Sequence, residues 1–320
     1  MQAVGVDLGY GVTKVAGGTG RHSFASAWTP YSGGAEAWGI GTADQPLTVD
    51  GRTVMVGDRA ASRPGAHRPF GDGRMADADA LPLLAAALWR SGVRGDVVLG
   101  SGTPLGRFAR ERAGAKAALE GRVLTLGDGQ HETTVRIARL VLRPQGVGAA
   151  LYLEAAGLLR TGGDGYVVVV DVGTRTTDVL TLEATDHAPV LPLCFSLEAG
   201  AATAAEAVAQ TAQPTTGHLP PADVTLAALR RPVSWGGQTI GGPQADAALN
   251  DLATGIRDEL RRRFGPDGQR VAAVALVGGG GILLADRLAG TLPGATVPID
   301  PQDALFANAE GFRWAAALAR

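Results

Sequence analysis

A short pattern that occurs twice, about half a chain apart, constrains this sequence more than any other feature. Val4 to Lys14 reads Val-Gly-Val-Asp-Leu-Gly-Tyr-Gly-Val-Thr-Lys, and Val167 to Leu180 reads Val-Val-Val-Val-Asp-Val-Gly-Thr-Arg-Thr-Thr-Asp-Val-Leu. In each copy an apolar strand runs into an aspartate, a glycine follows two residues on, a polar tip turns the chain, and a second strand returns. With Asp7 set on Asp171, Gly9 falls on Gly173, Tyr10 on Thr174, Thr13 on Thr177 and Lys14 on Asp178. Glycine tolerates positive φ and leaves no Cβ between backbone N–H groups and an anion. Lys14 adds a positive charge near the first tip. A carboxylate is a poor partner for bare phosphate, so Asp7 makes sense there with a hydrated metal ion in between. Taken alone, the first copy is equally an ordinary hairpin. The repeat implies two similar domains, each offering a phosphate-binding hairpin to one shared cleft.

A third element extends the pattern. Val274-Ala-Leu-Val-Gly-Gly-Gly-Gly-Ile-Leu-Leu-Ala-Asp286 reads as a strand, a glycine turn and a helix, the arrangement that lets backbone and a helix N-terminus approach a nucleotide. Together the three stretches resemble the phosphate and adenosine motifs of the actin, sugar-kinase and chaperone ATPase superfamily. Asp7 to Lys14, Arg143-Pro-Gln-Gly146 before a helix, and Phe306-Ala-Asn-Ala-Glu-Gly-Phe312 are similar to the prokaryotic actin-like group that includes ParM-type plasmid-segregation proteins and archaeal actins. The resemblance covers essentially the whole chain. It implies an actin-like α/β ATPase fold of two RNase H-like domains, 1–145 with 304–320 and 146–303. Smaller outer subdomains would lie at about 17–88 and 205–268.

The same resemblance implies the site. Asp7 and Asp171 would hold hydrated Mg2+ beside ATP, with GTP as the alternative nucleotide. Gly9, Tyr10, Gly11, Thr13 and Lys14 would grip the β- and γ-phosphates from one side, and Gly173, Thr174, Thr176 and Thr177 from the other. Gly278, Gly279, Gly280 and Gly281 would hold the adenosine end, and Asn308 joins the nucleotide-side residues. Gln145 and Asp171 would place the attacking water; a neutral glutamine can both donate and accept, while the carboxylate takes the proton or the metal-bound water. On its own residues, Gln145 is also explained as a helix cap. Tyr10 stands where actin carries a small hydroxyl residue, which leaves the role of its side chain open. Glu259 matches the nucleoside contact of actins only loosely.

Composition narrows the classes. With 320 residues, 45% of them hydrophobic, the chain can build two real cores. A net charge of −2 disfavours direct nucleic-acid binding. One cysteine, Cys194, excludes a disulfide framework and a cysteine-ligated cluster. Neither a basic leader nor a long apolar run is present, so the chain reads as cytoplasmic with no membrane partner.

Elsewhere the patterns are structural. Leu47 to Val56 reads as a hairpin turning at Asp50-Gly51, and Val123 to Leu142 as another turning at Asp128-Gly129. Arg59 to Asp79 reads as a polar surface loop, with His67 and Arg68 solvated. Gly100 to Gly106 has the wrong spacing for a dinucleotide fingerprint, and Ser101 lacks the flanks of a nucleophile elbow. Helices are expected over 80–89, 107–119, with a solvated basic face, 148–159, about 201–210 and 303–317. Thr211 to Pro221 reads as a loop and Val297 to Ile299 as a strand. Gly200, ahead of the 201–210 helix, is explained equally by ligand approach and by packing. The clearest helix runs from Pro243 to a Gly265 cap, with Ala245, Ala248, Leu249, Leu252, Ile256, Leu260 and Phe264 at helical spacing. Arg261 to Arg263 then suit a helix C-terminus.

These readings lead to a magnesium-dependent ATPase that polymerises head to tail and, as the resemblance implies, segregates DNA through an adaptor protein. Two alternatives remain open: a metabolite kinase of the same superfamily, for which no extra catalytic aspartate stands out, and a non-polymerising nucleotide switch.

Overall fold

The computed structural model describes residues 1–31, 46–69, 71–159 and 163–319. Its strands are β1 (Gln2–Leu8), β2 (Val12–Gly17), β3 (Gly20–Ala25), β4 (Trp28–Pro30), β5 (Leu47–Val49), β6 (Arg52–Val56), β7 (Gly95–Thr103), β8 (Val123–Gly127), β9 (Glu132–Pro144), β10 (Tyr166–Val172), β11 (Thr177–Glu183), β12 (Phe195–Leu197), β13 (Val233–Trp235), β14 (Gln238–Ile240), β15 (Val271–Val277) and β16 (Ala295–Thr296). Its α-helices are α1 (Asp58–Ala61), α2 (Leu81–Arg90), α3 (Phe108–Leu119), α4 (Val147–Ala155), α5 (Ala201–Thr216), α6 (Ala222–Ala228), α7 (Pro243–Phe264), α8 (Gly278–Leu288) and α9 (Pro301–Leu318). The chain forms two compact units. The first comprises Met1–Thr103, Arg107–Tyr152 and Asn308–Arg320; the second comprises Pro104–Gly106 and Leu153–Ala307.

The first unit is built on a nine-stranded sheet in the order β3-β2-β1-β7-β9-β8-β5-β6-β4. Period-two alternation sorts the side chains of its central strands. Val4 and Val6 of β1 and Val97 and Leu99 of β7 enter a core with Leu83, Leu84 and Leu88 of α2, all fully buried. Each such leucine contributes roughly 1.5–3 kcal/mol by leaving water. The alternate positions, Ala3, Gly5, Val98, Gly100 and Gly102, face α9, with Ala3 and Val98 packed on Ala315 and Ala316. Small residues on this face let helix backbone lie directly on strand backbone. A Cβ on Gly5 would fall 1.9 Å from the Ala309 carbonyl oxygen, and one on Gly100 would fall 1.9 Å from that of Phe312.

The second unit has a five-stranded sheet in the order β12-β11-β10-β15-β16 and a separate β13–β14 ribbon. Val168, Val170 and Val172 of β10 pack into a core with the buried faces of α5, α7 and α8. On α7 the buried set is Ala245, Ala248, Leu249, Leu252, Ala253, Ile256, Leu260 and Phe264, one stripe of a 3.6-residue period, and the helix stops at Gly265.

Five local expectations change. Helix α5 runs on to Thr216, because the hydroxyls of Thr215 and Thr216 donate back to the Ala212 carbonyl and the helix meets no left-handed stop before Gly217 (φ 73°). Val297 to Ile299 is not a strand; the pairing with β15 is spent at Ala295–Thr296, one residue before the Val297 N–H reaches the Val274 carbonyl. Within the expected surface loop, Arg74 is 5% exposed, and at the start of the expected solvated helix Arg107 is 8% exposed. His67 is only half solvated, since its ring stacks on Trp28 at 4.2 Å and its Nδ1 lies 3.2 Å from Asp79. None of the described helices is long and apolar enough to cross a membrane.

Candidate functional site

The first unit gathers its polar groups at the end of β1. Asp7 and Lys14 sit directly opposite one another in the antiparallel β1–β2 pair, so the pleat places both side chains on one face. Lys14 Nζ donates to Asp7 Oδ2 at 2.9 Å, and Gln145 Nε2 donates to Asp7 Oδ1 at 3.0 Å. Asp7 is 3% exposed and Lys14 is 9% exposed. Gln145 is delivered by the end of β9, where its backbone N–H also donates to the Thr103 carbonyl. Both carboxylate oxygens of Asp7 are thus oriented, and each retains lone pairs for further donors. A carboxylate held this way is fixed in orientation and can accept further hydrogen bonds.

The loop between β1 and β2 is braced from inside. The Thr13 hydroxyl is fully buried, bonds to Ser26 Oγ at 2.9 Å, and Ser26 Oγ donates to the Gly9 carbonyl at 2.5 Å. Thr13 therefore turns its hydroxyl into the unit, not toward the loop tip. Gly9 is constrained by close approach, because a Cβ there would lie 2.5 Å from the Val12 carbonyl. Gly11 sits at the same tip and offers its carbonyl to the Ser26 N–H. Asn308 caps α4, its Oδ1 accepting from the backbone N–H groups of Gly146 and Ala149 at 3.1 Å each.

Tyr10 gains a role that the sequence left open. The Arg74 guanidinium lies over its ring, 5.2 Å from the centroid, and Arg74 Nη1 donates to the Leu8 carbonyl at 3.0 Å. Arg107 donates to the Tyr10 hydroxyl at 3.0 Å and also pairs with Asp72. Burial lowers the Arg74 pKa to about 10, which still leaves it charged at neutral pH. Two arginines from separate segments thus hold the loop tip by its aromatic side chain. Neither had a sequence signal, because a buried arginine and a solvated one look alike in a polar stretch. Removing the hydroxyl alone (Tyr10→Phe) is expected to cost about 1 kcal/mol. Removing the ring (Tyr10→Ala) uncovers Arg74 and is expected to cost about 3 kcal/mol. Denaturant midpoints of the two variants separate these effects, and equal losses would reject the ring–guanidinium contact.

The second unit repeats the hairpin with one change of sign. Asp171 and Asp178 sit opposite one another on β10 and β11, the register that Asp7 and Lys14 occupy in the first unit. Where a lysine neutralises Asp7, a second carboxylate faces Asp171. Burial, and then the charge of Asp171, push the Asp178 carboxyl up to about 7, against the opposing hydrogen bonds from Ser196, the Leu105 N–H and Thr176. The Leu105 N–H donates at 2.9 Å, so Asp178 ties the short Pro104–Gly106 visit to this unit. Asp171 is 6% exposed.

The loop at Gly173 to Thr176 closes through Gly173 N–H to the Thr176 carbonyl at 2.8 Å. Thr177 is fully buried and donates to the Ala199 carbonyl at 2.7 Å, so its hydroxyl, like that of Thr13, is turned inward. The first turn of α5 donates to the loop, from Ala201 N–H to Gly173 and from Ala202 N–H to Thr174. A Cβ on Gly200 would lie 2.7 Å from the Thr174 carbonyl, so this glycine serves packing of the hairpin. Ser101 is buried with its hydroxyl on the Val6 carbonyl, in keeping with the absence of an elbow.

Gly278 to Gly281 form the first turn of α8 where β15 ends. Gly278 adopts φ +81°, and a Cβ on it would lie 2.5 Å from Asp171 Oδ1. Gly280 lies against Val172, with a would-be Cβ 2.6 Å from Val172 Cγ1. The glycine turn and the second hairpin are thus one packed assembly. Glu259 is engaged by Arg262 and Arg263, whose hydrogen bonds hold its carboxyl down to about 2, and Arg263 also lies over the Phe195 ring.

Two related hairpins ending in paired polar residues, plus a glycine turn opening a helix, define an actin-like ATPase fold. Comparison with known proteins agrees. Residues 5–148 match the N-terminal domain of actin-like proteins, and residues 169–290 match the C-terminal part of the archaeal actin homologue, MreB-like. Archaeal actin homologs of Thermoplasma volcanium and Thermoplasma acidophilum are each 43% identical over 325 residues, covering 99% of this chain and 99% of theirs. The chain belongs to this family of archaeal actin homologues. A crystal structure of an archaeal actin homolog in complex with ADP is 42% identical and superposes with a TM-score of 0.87, covering 99% of this chain and all of that one. A ParM from a 15-stranded filament of Clostridium botulinum shares the fold at a TM-score of 0.85 and 20% identity, over 99% of this chain and 100% of its own.

Proposed function

We propose that this chain binds and hydrolyses ATP with Mg2+, takes GTP as the alternative nucleotide, and assembles into head-to-tail filaments. The observation that carries the reading is the buried Asp7 carboxylate, fixed by Lys14 on one oxygen and Gln145 on the other. That arrangement has little value for stability alone, because burying ions costs about as much as their pairing returns. It has value where a hydrated cation and phosphates must be positioned. Among the described residues no group of three or more acidic, histidine or cysteine side chains is placed to hold a metal directly. Mg2+ would be carried by phosphates and water, and Asp7 of the first unit and Asp171 of the second are the carboxylates that would accept from its water shell. When bound, the ion supplies charge neutralisation at the β- and γ-phosphates. Each unit supplies one phosphate hairpin through its backbone N–H groups, Gly278 to Gly281 supply the nucleoside end, and Gln145 orients the water. Lys14, already paired with Asp7, adds positive charge at the first hairpin.

Binding of ADP by a 42% identical relative supports the nucleotide part. Assembly is the reading carried from the family, and heterologous contacts that do not close produce filaments. Segregation of DNA through an adaptor, in the cytoplasm, is the cellular role proposed with it. Light scattering and pelleting with Mg-ATP, Mg-GTP, ADP and no nucleotide test the reading. Scattering that rises with triphosphate and decays as phosphate is released is expected. Binding and turnover without assembly would leave a nucleotide switch. Gln145→Ala is expected to lower turnover about 100-fold with nucleotide affinity within threefold of wild type. A parallel loss of affinity would instead make Gln145 a support of Asp7 alone.

A further inference from the structure

The charges of this chain are divided unevenly between its two units. The first carries 19 lysines and arginines against 14 aspartates and glutamates, a formal net of +5, and the second carries 10 against 17, a net of −7. The whole-chain value of −2 hides this division. Each unit also presents one exposed helix face of matching sign. On α3, Ala109, Ala113 and Ala117 recur along the exposed side, with Arg112 and Lys116 exposed at its edge. On α7, Ala247, Asp251, Gly255 and Asp258 share the exposed side. Among the described residues Arg112, Asp251 and Asp258 have no hydrogen-bond or ion-pair partner, and Lys116 reaches only Glu120, at 3.5 Å. Gly255 has no internal cause. Nothing lies within 4 Å of a Cβ added there, and glycine inside a helix costs about 1 kcal/mol against alanine. Bare backbone is of use where something from outside comes close to it.

We propose that the basic face of α3 on one copy of this chain docks on the acidic face of α7 on the next copy. This rests on the assembly reading above and adds to it the surfaces and the force. The opposite net charges of the two units select a second copy as the occupant. Contact of a first unit with a second unit is attractive, whereas contact between two like units is repulsive. The alanines leave the middle of the α3 face low, so that Gly255 brings α7 backbone down on it while Arg112 and Lys116 reach in from the edge toward Asp251 and Asp258. The pairing is heterologous. It leaves a free α3 face at one end and a free α7 face at the other, and therefore propagates.

The critical concentration for assembly of the full chain with Mg-ATP, read by light scattering, tests this by exchange of charge. One variant carries Arg112→Glu and Lys116→Glu, a second Asp251→Lys and Asp258→Lys, and a third all four substitutions. Each double variant is expected to raise the critical concentration at least about tenfold, because every copy then presents the same sign on both faces. The fourfold variant restores opposite signs and is expected to return to within about threefold of wild type. Gly255→Leu keeps every charge and is expected to raise the critical concentration at least about tenfold by holding the helices apart. The thermal midpoint of the unassembled chain should stay within a few degrees in all four. Wild-type assembly should weaken as salt rises, since exposed charges are screened. A double variant that assembles at the wild-type concentration would leave that face to some other partner and overturn the proposal. Loss in both double variants without recovery in the fourfold variant would overturn it too. A wild type that stays monomeric with every nucleotide would overturn the assembly reading itself, a result distinct because it needs no substitution.

Discussion

An alanine at Gly311 is expected to leave the first unit unable to reach its native packing. Gly311 lies on α9 where that helix crosses α4, and the added Cβ would fall 1.7 Å from the Gly148 carbonyl oxygen and 2.5 Å from its carbon. No rotamer relieves this, because both partners are backbone. The neighbouring contacts leave no direction for retreat. Gly5 and Gly100 hold α9 backbone on the sheet, and a Cβ on Gly148 would in turn lie 2.4 Å from the Phe312 ring. Phe312 is itself fully buried. Overpacking commonly costs 1–3 kcal/mol, but a backbone collision that displaces a whole helix belongs to the rare class above about 5 kcal/mol. That is comparable to the entire stability of many domains. The measurement is the soluble yield and thermal midpoint of Gly311→Ala beside Gly114→Ala and Gly255→Ala. Those two glycines lie inside α3 and α7 with nothing within 4 Å of a new Cβ. Both controls should gain up to about 1 kcal/mol from helix propensity. A Gly311→Ala midpoint within a few degrees of wild type would mean that α9 does not lie on α4 as described.

The second large effect is a pH dependence that one substitution should abolish. The Asp178 carboxyl is raised to about 7 in the folded chain by burial and by Asp171, against an ordinary value near 4 in the unfolded chain. Between those values the folded state holds the extra proton, so stability falls as pH rises through this window and is flat above it. The full penalty at high pH is at most about 4 kcal/mol, three pK units at 1.36 each. Asp178→Asn keeps an acceptor for the Leu105 N–H and for Ser196 but cannot ionise. Its stability relative to wild type should therefore rise from pH 5 and level off above about pH 7. The lowered carboxyls of Glu259, Asp96 and Asp128 act in the opposite sense and below that range, since they lose their favourable ionised form only as pH falls. Denaturant titrations of both proteins at half-unit steps give the difference curve. A flat difference would mean that Asp178 is ionised throughout.

Much of this architecture was legible because its causes are local. The two hairpins announce themselves by an apolar run, an aspartate and a glycine, each dictated by backbone geometry within a dozen residues. Helix α7 shows its stripe and both ends, and the Asp50-Gly51 hairpin follows from a turn that needs positive φ at both positions, which the structure has at 50° and 80°. The destinations of individual hydroxyls and amides were not legible. Thr13 and Thr177 belong to the repeated motif, yet their partners are Ser26 and the Ala199 carbonyl, both reached only after the chain has folded back. Asn308 sits in a stretch that suggested a ligand, and it caps a helix 162 residues away in sequence.

By itself, then, the order of residues determined the element types, the doubled phosphate hairpin, the glycine turn and the family, since each depends on periodicity, backbone freedom or side-chain class at fixed short spacing. Only the tertiary structure decided which charges meet. A lysine opposite Asp7 makes an ion pair, and an aspartate at the matching position opposite Asp171 makes a carboxyl raised to about 7, first by its own burial and then by the like charge across the strand. It also decided that Arg74 and Arg107 close on Tyr10, and that the glycines of β1, β7, α4 and α9 serve a single backbone-to-backbone contact. Those partners are brought together from segments tens to hundreds of residues apart, and no local pattern encodes the distance between them.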